Sequence, residues 1–434
     1  MIAMLDLKFI VENPEVIKEN LRKKFQENKI SLVDEICQLY AEWKEVKANL
    51  DDLRHERNLI SQEINDAKKS GKDISALKEK AKNLPAMIKE NEEKVDSLFE
   101  RIKKIQLSIP NIIHESVPIG KDDSENVERA RYGEPRVPDF EVKSHVEIVE
   151  KLGIADFDAS SRSSGNGFFY LKGPLALLDQ ALQRFAIDSL VKKGYVFTFP
   201  PHMIRKRVCD GVLDFEFFRD MIYKIEGEDL YLIGTSEHPL VGQFLDQILK
   251  KEELPIKLVG LSVCFRKEIG SHGIDEKGLF RTHQFNKVEQ VIICEPEDSY
   301  HFYDELLNNS IELFKALKIP IRVLESCSGD LGDMKAKGAD LEAWSPRQKQ
   351  YFEICSVSNL TEAQARRTNI RVFDGKHYYY PHTLNNTAIA TSRAMVAIIE
   401  NYQTKEGTIV IPEVLRPYMY GMKEIKGPKI EIEQ

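Results

Sequence analysis

The six cysteines of this 434-residue chain, Cys37, Cys209, Cys264, Cys294, Cys327 and Cys355, never come closer than 28 positions. That spacing excludes a CxxC zinc pair and a dense disulfide framework, so reduced thiols, no structural zinc and a cytoplasmic setting are expected. No run approaches 18 apolar residues, which rules out a membrane-spanning helix. The opening Met1-Ile-Ala-Met-Leu-Asp-Leu-Lys carries charge where a secretory leader needs an apolar stretch. Positive charge is not in surplus: 62 basic against 70 acidic residues leave a net −8. Indiscriminate coating of nucleic acid is thereby disfavoured, although a local basic site is not. No GxxxxGK[ST], GxSxG or HExxH occurs. A Walker-type ATPase is therefore not expected. What is present is 42% hydrophobic and 30% charged residues, enough for a large core spread over two or three domains.

Near the start, Asn13-Pro14-Glu15 reads as a helix cap with proline at the first helical position, opening a short helix to about Lys24. The clearest periodicity follows. Leu32, Ile36, Leu39, Trp43, Val46, Leu50, Leu53, Arg57, Ile60, Ile64 and Ala67 alternate steps of 4 and 3. After Ser70-Gly71-Lys72-Asp73 a second seam runs Ile74, Leu77, Ala81, Leu84, Ile88, Asn91, Val95, Leu98, Ile102, Ile105, Ile109. Two such seams joined by a glycine turn predict a long antiparallel coiled coil over about 28–109, each helix roughly 54 Å long. Pro85 should kink its second helix. Arg57 and Asn91, the polar seam residues, are candidates for fixing register. Lys68, Lys69, Lys72, Lys78, Lys80 and Lys82 crowd the turn, either as a solvated tip or as a contact to a phosphate backbone.

The organisation expected is thus an N-terminal domain over 1–110, a connector over 111–165 with little regular structure before Val142, and a body over 166–434. In the body, strand-like runs at Tyr195–Phe199, Lys257–Phe265, His283–Ile293 and Tyr351–Val357 alternate with helical stretches, too unevenly for a regular βαβ array.

Four segments of the body carry chemistry. Val263–Glu268 runs into a loop with Gly270, Gly273 and Gly278, and a second strand leaves it with Phe285, Lys287 and Glu289 on one face. Phe285 and Glu289 would lie roughly 13–14 Å apart. A ring at one end suits a base, a carboxylate at the other suits an ammonium or hydroxyl, and Arg266 can fork onto a phosphate between them. An aminoacyl-adenylate has those groups in that order; the alternative is a hairpin with a charged face. Arg393, on a helix expected to have Asn385 near its cap, is flanked by Ile389, Ala390, Val396 and Ala397. Its partner is either a triphosphate or a structural glutamate. Thr235-Ser236-Glu237 closes an apolar run, a usual place for small-molecule recognition. Glu353, in Tyr351-Phe-Glu-Ile-Cys-Ser356, reads as a buried carboxylate needing Mg²⁺ or an arginine. Glu353 and Ser356 fall on opposite faces of a regular strand, so joint metal binding requires a bulge.

These motifs resemble the seryl-tRNA synthetases over essentially the whole chain. Met4-Leu-Asp-Leu-Lys-Phe-Ile, Leu53-Arg54-His-Glu-Arg57-Asn58, Pro110-Asn111 and His114–Gly120 match the N-terminal domain and its junction. Gly194–Pro201, Phe265–Glu268 and Thr383–Arg393 are similar to class II motifs 1, 2 and 3. The resemblance implies an α+β protein: an antiparallel coiled-coil helical arm before a class II catalytic domain, an antiparallel β-sheet flanked by helices. It implies serine–tRNA ligation, with ATP held by Arg266, Lys267, Glu268, Thr282, Phe285, Glu353, Ile354, Cys355, Ser356 and Arg393, and Mg²⁺ by Glu353 and Ser356. Arg266, Glu353 and Arg393 would be the catalytic set. Serine would sit among Thr235, Ser236, Glu237, Glu289, Asn385 and Thr387. Arg54, Arg57, Lys68, Lys69 and Lys72 would meet tRNA(Ser), and tRNA(Sec) where that tRNA exists, across a homodimer built on motif 1. Gly167 stands where an arginine is usual, and Asn386-Thr387 follows the archaeal and eukaryotic pattern.

Overall fold

The computed structural model describes residues 5–214, 218–268 and 278–430. Gly270 and Gly273 of the expected loop, and Met4 of the opening motif, lie outside them. Two compact units divide between Pro110 and Asn111.

In the first unit, α1 (Leu7–Glu12) is capped by the Asp6 carboxylate and precedes α2 (Pro14–Lys23). Asn13 does not cap α2 with its side chain. Its Nδ2 instead donates to the Phe9 carbonyl at 3.1 Å, closing α1. The arm is α3 (Ile30–Lys69) against α4 (Ser75–Ala81) and α5 (Leu84–Ser108). Leu50, Leu53, Ile60, Leu84 and Ile88 form one buried cluster along the expected seams. Gly71 makes the turn at φ +68°, a conformation that glycine adopts at no steric cost. The second helix is broken rather than kinked: Pro85 occupies the first turn of a new helix, where its missing N–H is harmless.

Asn91 does link the helices, accepting from Asn49 Nδ2 at 3.3 Å, but Arg57 is exposed and bonds its neighbour Asn58. Cross-helix ion pairs Arg54–Glu92 (2.7 Å), Lys94–Glu42 (3.1 Å) and Arg101–Glu35 (3.2 Å) agree with the antiparallel register. Each is exposed and contributes at most about 1 kcal/mol.

The body is built on one eight-stranded sheet: β1 (Val127–Tyr132), β2 (Val196–Thr198), β3 (Ile256–Phe265), β4 (Gln284–Cys294), β5 (Ile321–Glu325), β6 (Lys337–Ser345), β7 (Gln350–Asn359) and β8 (His382–Ala390). Their order is β1-β5-β6-β7-β8-β4-β3-β2. All pairs are antiparallel except β2 with β3. Edge strand β1 falls where the sequence reads as irregular. Its period-2 signal is broken by a bulge at Arg129, which leaves the consecutive Glu128 and Arg129 both exposed.

Helices α6 (Pro174–Val191), α8 (Ser299–Ala316) and α10 (Thr391–Asn401) supply the main core with Leu178, Leu182, Leu306, Phe314, Met395 and Ile398, against Val288, Ile292, Leu341 and Val357 of the sheet. Two short helices, α7 (Glu237–Gly242) and α9 (Ala363–Thr368), pack in a second cluster around Leu240, Val241 and Ala365. No helix among the described residues is long and apolar enough to cross a membrane.

Candidate active site

The central strands β3, β4, β7 and β8 present one polar face, assembled by register. Antiparallel pairing sets Cys264 opposite Phe285, Ser262 opposite Lys287 and Gly260 opposite Glu289. Phe285, Lys287 and Glu289 thus share a face, as the alternation requires. Arg266 follows β3 directly. Its guanidinium lies 5.3 Å from the centre of the Phe285 ring, and Nε and one terminal nitrogen donate to the Gly234 carbonyl at 3.3 Å. Ring and cation therefore stand side by side rather than spaced along the strand. Lys267 Nζ lies 5.6 Å over the Tyr223 ring. Glu268 adopts φ +48° at the end of this described segment.

The carboxylate end is already engaged. Lys287 Nζ meets Glu289 Oε2 at 2.7 Å, with side chains only 6% and 2% exposed. Thr387 Oγ1 donates to the same oxygen at 3.0 Å. Glu289 is therefore half of a buried ion pair, where the sequence reading had a carboxylate awaiting a ligand.

Beside it, Glu237 Oε1 accepts from Asn385 Nδ2 (2.9 Å) and Gln364 Nε2 (2.7 Å). Burial, and next the Glu289 charge, push the Glu237 carboxyl up to about 7, against the pull of the Gln364 hydrogen bond. Burial carries His238 down to about 3, so it is neutral at physiological pH. Ser236 is buried with Oγ on the Gly260 carbonyl (3.2 Å), and Thr235 Oγ1 accepts from the Glu237 N–H (3.3 Å). Asn385 lies inside β8; the helix begins only at Thr391.

At the other end, β7 contains the bulge that the spacing demanded. Leu341 pairs with Cys355 and Glu342 with Glu353, leaving Ile354 as the extra residue. One added residue reverses the alternation, so Glu353 and Ser356 reach the same face while Ile354 and Cys355 turn into the core, each 2% exposed. Ile354 and Cys355 therefore offer no exposed side chain to a ligand, and neither does Thr282, 3% exposed.

Glu353 is not buried: its side chain is 48% exposed, and Oε2 meets Arg393 at 2.9 Å. An arginine nitrogen also donates to the Glu353 carbonyl at 3.0 Å. Partial desolvation raises this carboxyl, but Arg393 outweighs it and holds it below the usual range. Arg393 lies 5.5 Å over Phe280. Its glutamate partner is present, because a guanidinium there needs an anion, but of the four neighbours expected on one helix Ile389 and Ala390 lie in β8 instead.

Sequence reasoning missed Asp340, Lys335 and Gln364. Asp340 faces Ser356 across β6–β7, and burial followed by the Glu353 charge pushes its carboxyl up to about 7. Lys335 adds positive charge felt by Glu237, Asp340 and Glu353. The period-2 pattern could have found Asp340; Lys335 and Gln364 lie in a loop and a short helix whose packing no local pattern shows.

Gly167 also finds its reason. At φ +79°, a Cβ there would lie 2.3 Å from His283 Cδ2. His283 stacks on Phe168 at 5.3 Å and its Nδ1 lies 2.6 Å from Tyr223 Oη, so it serves as packing beside the site. Of the arm residues, Arg54 is committed to Glu92, and Lys68, Lys69 and Lys72 are exposed at the turn.

An antiparallel sheet displaying a ring-backed arginine after one strand, a bulged acidic strand and an arginine on the following helix defines the class II aminoacyl-tRNA synthetases. The model of the class II synthetase core domain (G, H, P, S and T) matches residues 221–402, and that of the seryl-tRNA synthetase N-terminal domain matches residues 4–113. The chain belongs to the seryl-tRNA synthetases, ATP-dependent serine–tRNA ligases. It is similar to a serine–tRNA ligase of Methanospirillum hungatei, 49% identical over 96% of this chain and 99% of that one. A second, from Methanocella arvoryzae, is 47% identical over 97% and 100%. The solved seryl-tRNA synthetase of Pyrococcus horikoshii complexed with ATP superposes with a TM-score of 0.92 at 44% identity, covering 99% of this chain and 100% of that one.

Proposed function

We propose that the polar face of β3, β4, β7 and β8 activates serine with ATP and passes it to the 3′ end of tRNA(Ser). The observation that carries this is the gathering of Phe285, Glu289 and Glu353 on strands of one sheet with Arg266 just past β3 and Glu237 at the start of α7, hydrogen-bonded to Asn385 of β8: a ring, a guanidinium and acids at one site. ATP of the Pyrococcus complex is the expected nucleotide. Phe285 takes the adenine, the Arg266 fork meets the α-phosphate, and Arg393 meets the γ-phosphate by exchanging Glu353 for it. Lys267, Glu268 and the backbones of Thr282, Ile354 and Cys355 complete the nucleotide site.

The serine ammonium meets Glu237, while Thr235, Glu289, Asn385 and Thr387 surround the hydroxyl and backbone. The serine carboxylate attacks the α-phosphorus, pyrophosphate leaves, and a ribose hydroxyl of the tRNA then takes the seryl group. No enzyme nucleophile is required; positioning and charge neutralisation do the work. A site that hydrogen-bonds the hydroxyl rejects alanine by up to roughly 10⁴–10⁵, because its buried polar groups would be left unpaired.

Mg²⁺ fits the residues present. Glu353 and Ser356 on one face, with Asp340 opposite Ser356, offer hard oxygen donors; burial, and next the Glu353 charge, raise the Asp340 carboxyl. Mg²⁺ is commonly held by one or two carboxylates together with substrate phosphates. Bound there, it would neutralise charge on the leaving pyrophosphate.

Lys68, Lys69 and Lys72 reach the tRNA backbone from the arm. Edge strand β2 exposes Val196 (62%) and Phe197, with Phe199 (68%) just beyond, an apolar edge suited to pairing with a second copy. Charging of tRNA(Ser) and tRNA(Sec), side by side with serine and the purified chain, tests both substrates; failure with tRNA(Ser) would refute the proposal.

A further inference from the structure

We infer that Gln364 is a positioning residue for serine recognition, holding the Glu237 carboxylate oriented and charged for the ammonium of the amino acid. The inference rests on the reading of Glu237 given above and deepens it. Gln364 sits on α9, 1% exposed, and its amide is fixed from both ends. Its Oε1 accepts from Thr383 Oγ1 at 2.8 Å, and its Nε2 donates to the Val212 carbonyl at 2.9 Å and to Glu237 Oε1 at 2.7 Å. Reversing the amide would set oxygen against oxygen at two contacts, so only one orientation is stable.

Asn385 donates to the same Glu237 oxygen. Two neutral N–H groups thus fix Oε1, and Oε2 has no hydrogen bond from the described protein. A neutral donor is what the position requires. Opposite Glu237 stand Glu289, which raises its carboxyl, and Lys287 and Lys335, which lower it. On its own helix His238 is uncharged. A lysine or arginine in place of Gln364 would compete with the ligand for the carboxylate, whereas an amide orients it and leaves its charge for the ammonium. Hydrogen bonds to charged groups contribute about 1.5–3 kcal/mol, which converts to roughly 10- to 150-fold in affinity.

The test is serine-dependent ATP–pyrophosphate exchange by the full chain between pH 5.5 and 8.5, for wild type, Q364A, Q364E and E237Q. In wild type, log kcat/KM for serine should fall below about pH 7, as Glu237 takes up its proton. Q364A should raise KM for serine about 10- to 150-fold, leave KM for ATP within about threefold, and move the acid limb to higher pH. Q364E preserves the volume and should move that limb further, because a second acid opposes ionisation of Glu237. If E237Q keeps the wild-type KM for serine, the reading of Glu237 fails. If E237Q loses serine while Q364A and Q364E keep the wild-type KM and limb, the inference about Gln364 alone fails. Equal losses in kcat and both KM values with an unmoved limb would mark Gln364 as merely structural and overturn it.

Discussion

Replacing Lys287 by methionine probes the buried end of the site most sharply. Lys287 and Glu289 are 6% and 2% exposed and meet at 2.7 Å. At an effective dielectric constant of 20 their attraction is about 6 kcal/mol, most of it offset by the cost of desolvating both ions. Removing one partner leaves that cost in place, so K287M should destabilise the body by about 3–5 kcal/mol. The chain has two tryptophans. Trp43 lies in α3 and Trp344 in β6, so a W43F background leaves a fluorescence reporter of the body alone. With an m-value of about 2–3 kcal/mol/M, the urea midpoint should fall by about 1–2 M. K287M/E289Q, which removes both charges and keeps Thr387 within reach of an amide, should recover more than half of the loss. An unchanged midpoint in K287M would refute the buried pair, and a double variant no better than the single would refute the stranded carboxylate as the cause.

Arg266→Ala should abolish serine-dependent ATP–pyrophosphate exchange with the fold intact by circular dichroism; near wild-type exchange would remove Arg266 from its assigned place. Glu353→Gln weakens the hard-oxygen set, and the Mg²⁺ concentration for half-maximal exchange should rise about tenfold or more; an unmoved titration would count against Glu353 as a ligand. Neutralising Lys68, Lys69 and Lys72 together should raise KM for tRNA and flatten its dependence on salt by up to about 0.9 per lost phosphate contact, with exchange untouched. Loss of exchange in that variant would contradict a role confined to tRNA.

How far the sequence carried this differs by element. The arm was legible because 3–4 spacing over eleven positions has one physical solution, and the same pattern located Leu50, Leu53, Ile60 and Ile88 in its core. The site strands were legible from alternation, which put Phe285, Lys287 and Glu289 on one face. The β7 bulge is the instructive case. Alternation showed that Glu353 and Ser356 could cooperate only if it were interrupted, but which residue would be extra depends on the register with β6, and that is tertiary information. Exposure follows a simpler rule: Glu353 has apolar sequence neighbours, but alternation turns Phe352 and Ile354 inward and leaves the carboxylate half open beside Arg393. Strand β1 escaped notice because a bulge at Arg129 interrupts its alternation. Gln364 escaped because its three partners lie 19, 127 and 152 positions away.

The whole account requires that serine, and no close analogue of it, be joined to adenylate on this face. Pyrophosphate exchange by the wild-type chain, run with serine, alanine, threonine and glycine at equal concentrations, measures that directly. Exchange with serine at least about 10³-fold above alanine is the predicted result; exchange that is absent with serine, or equal with alanine, would contradict the account.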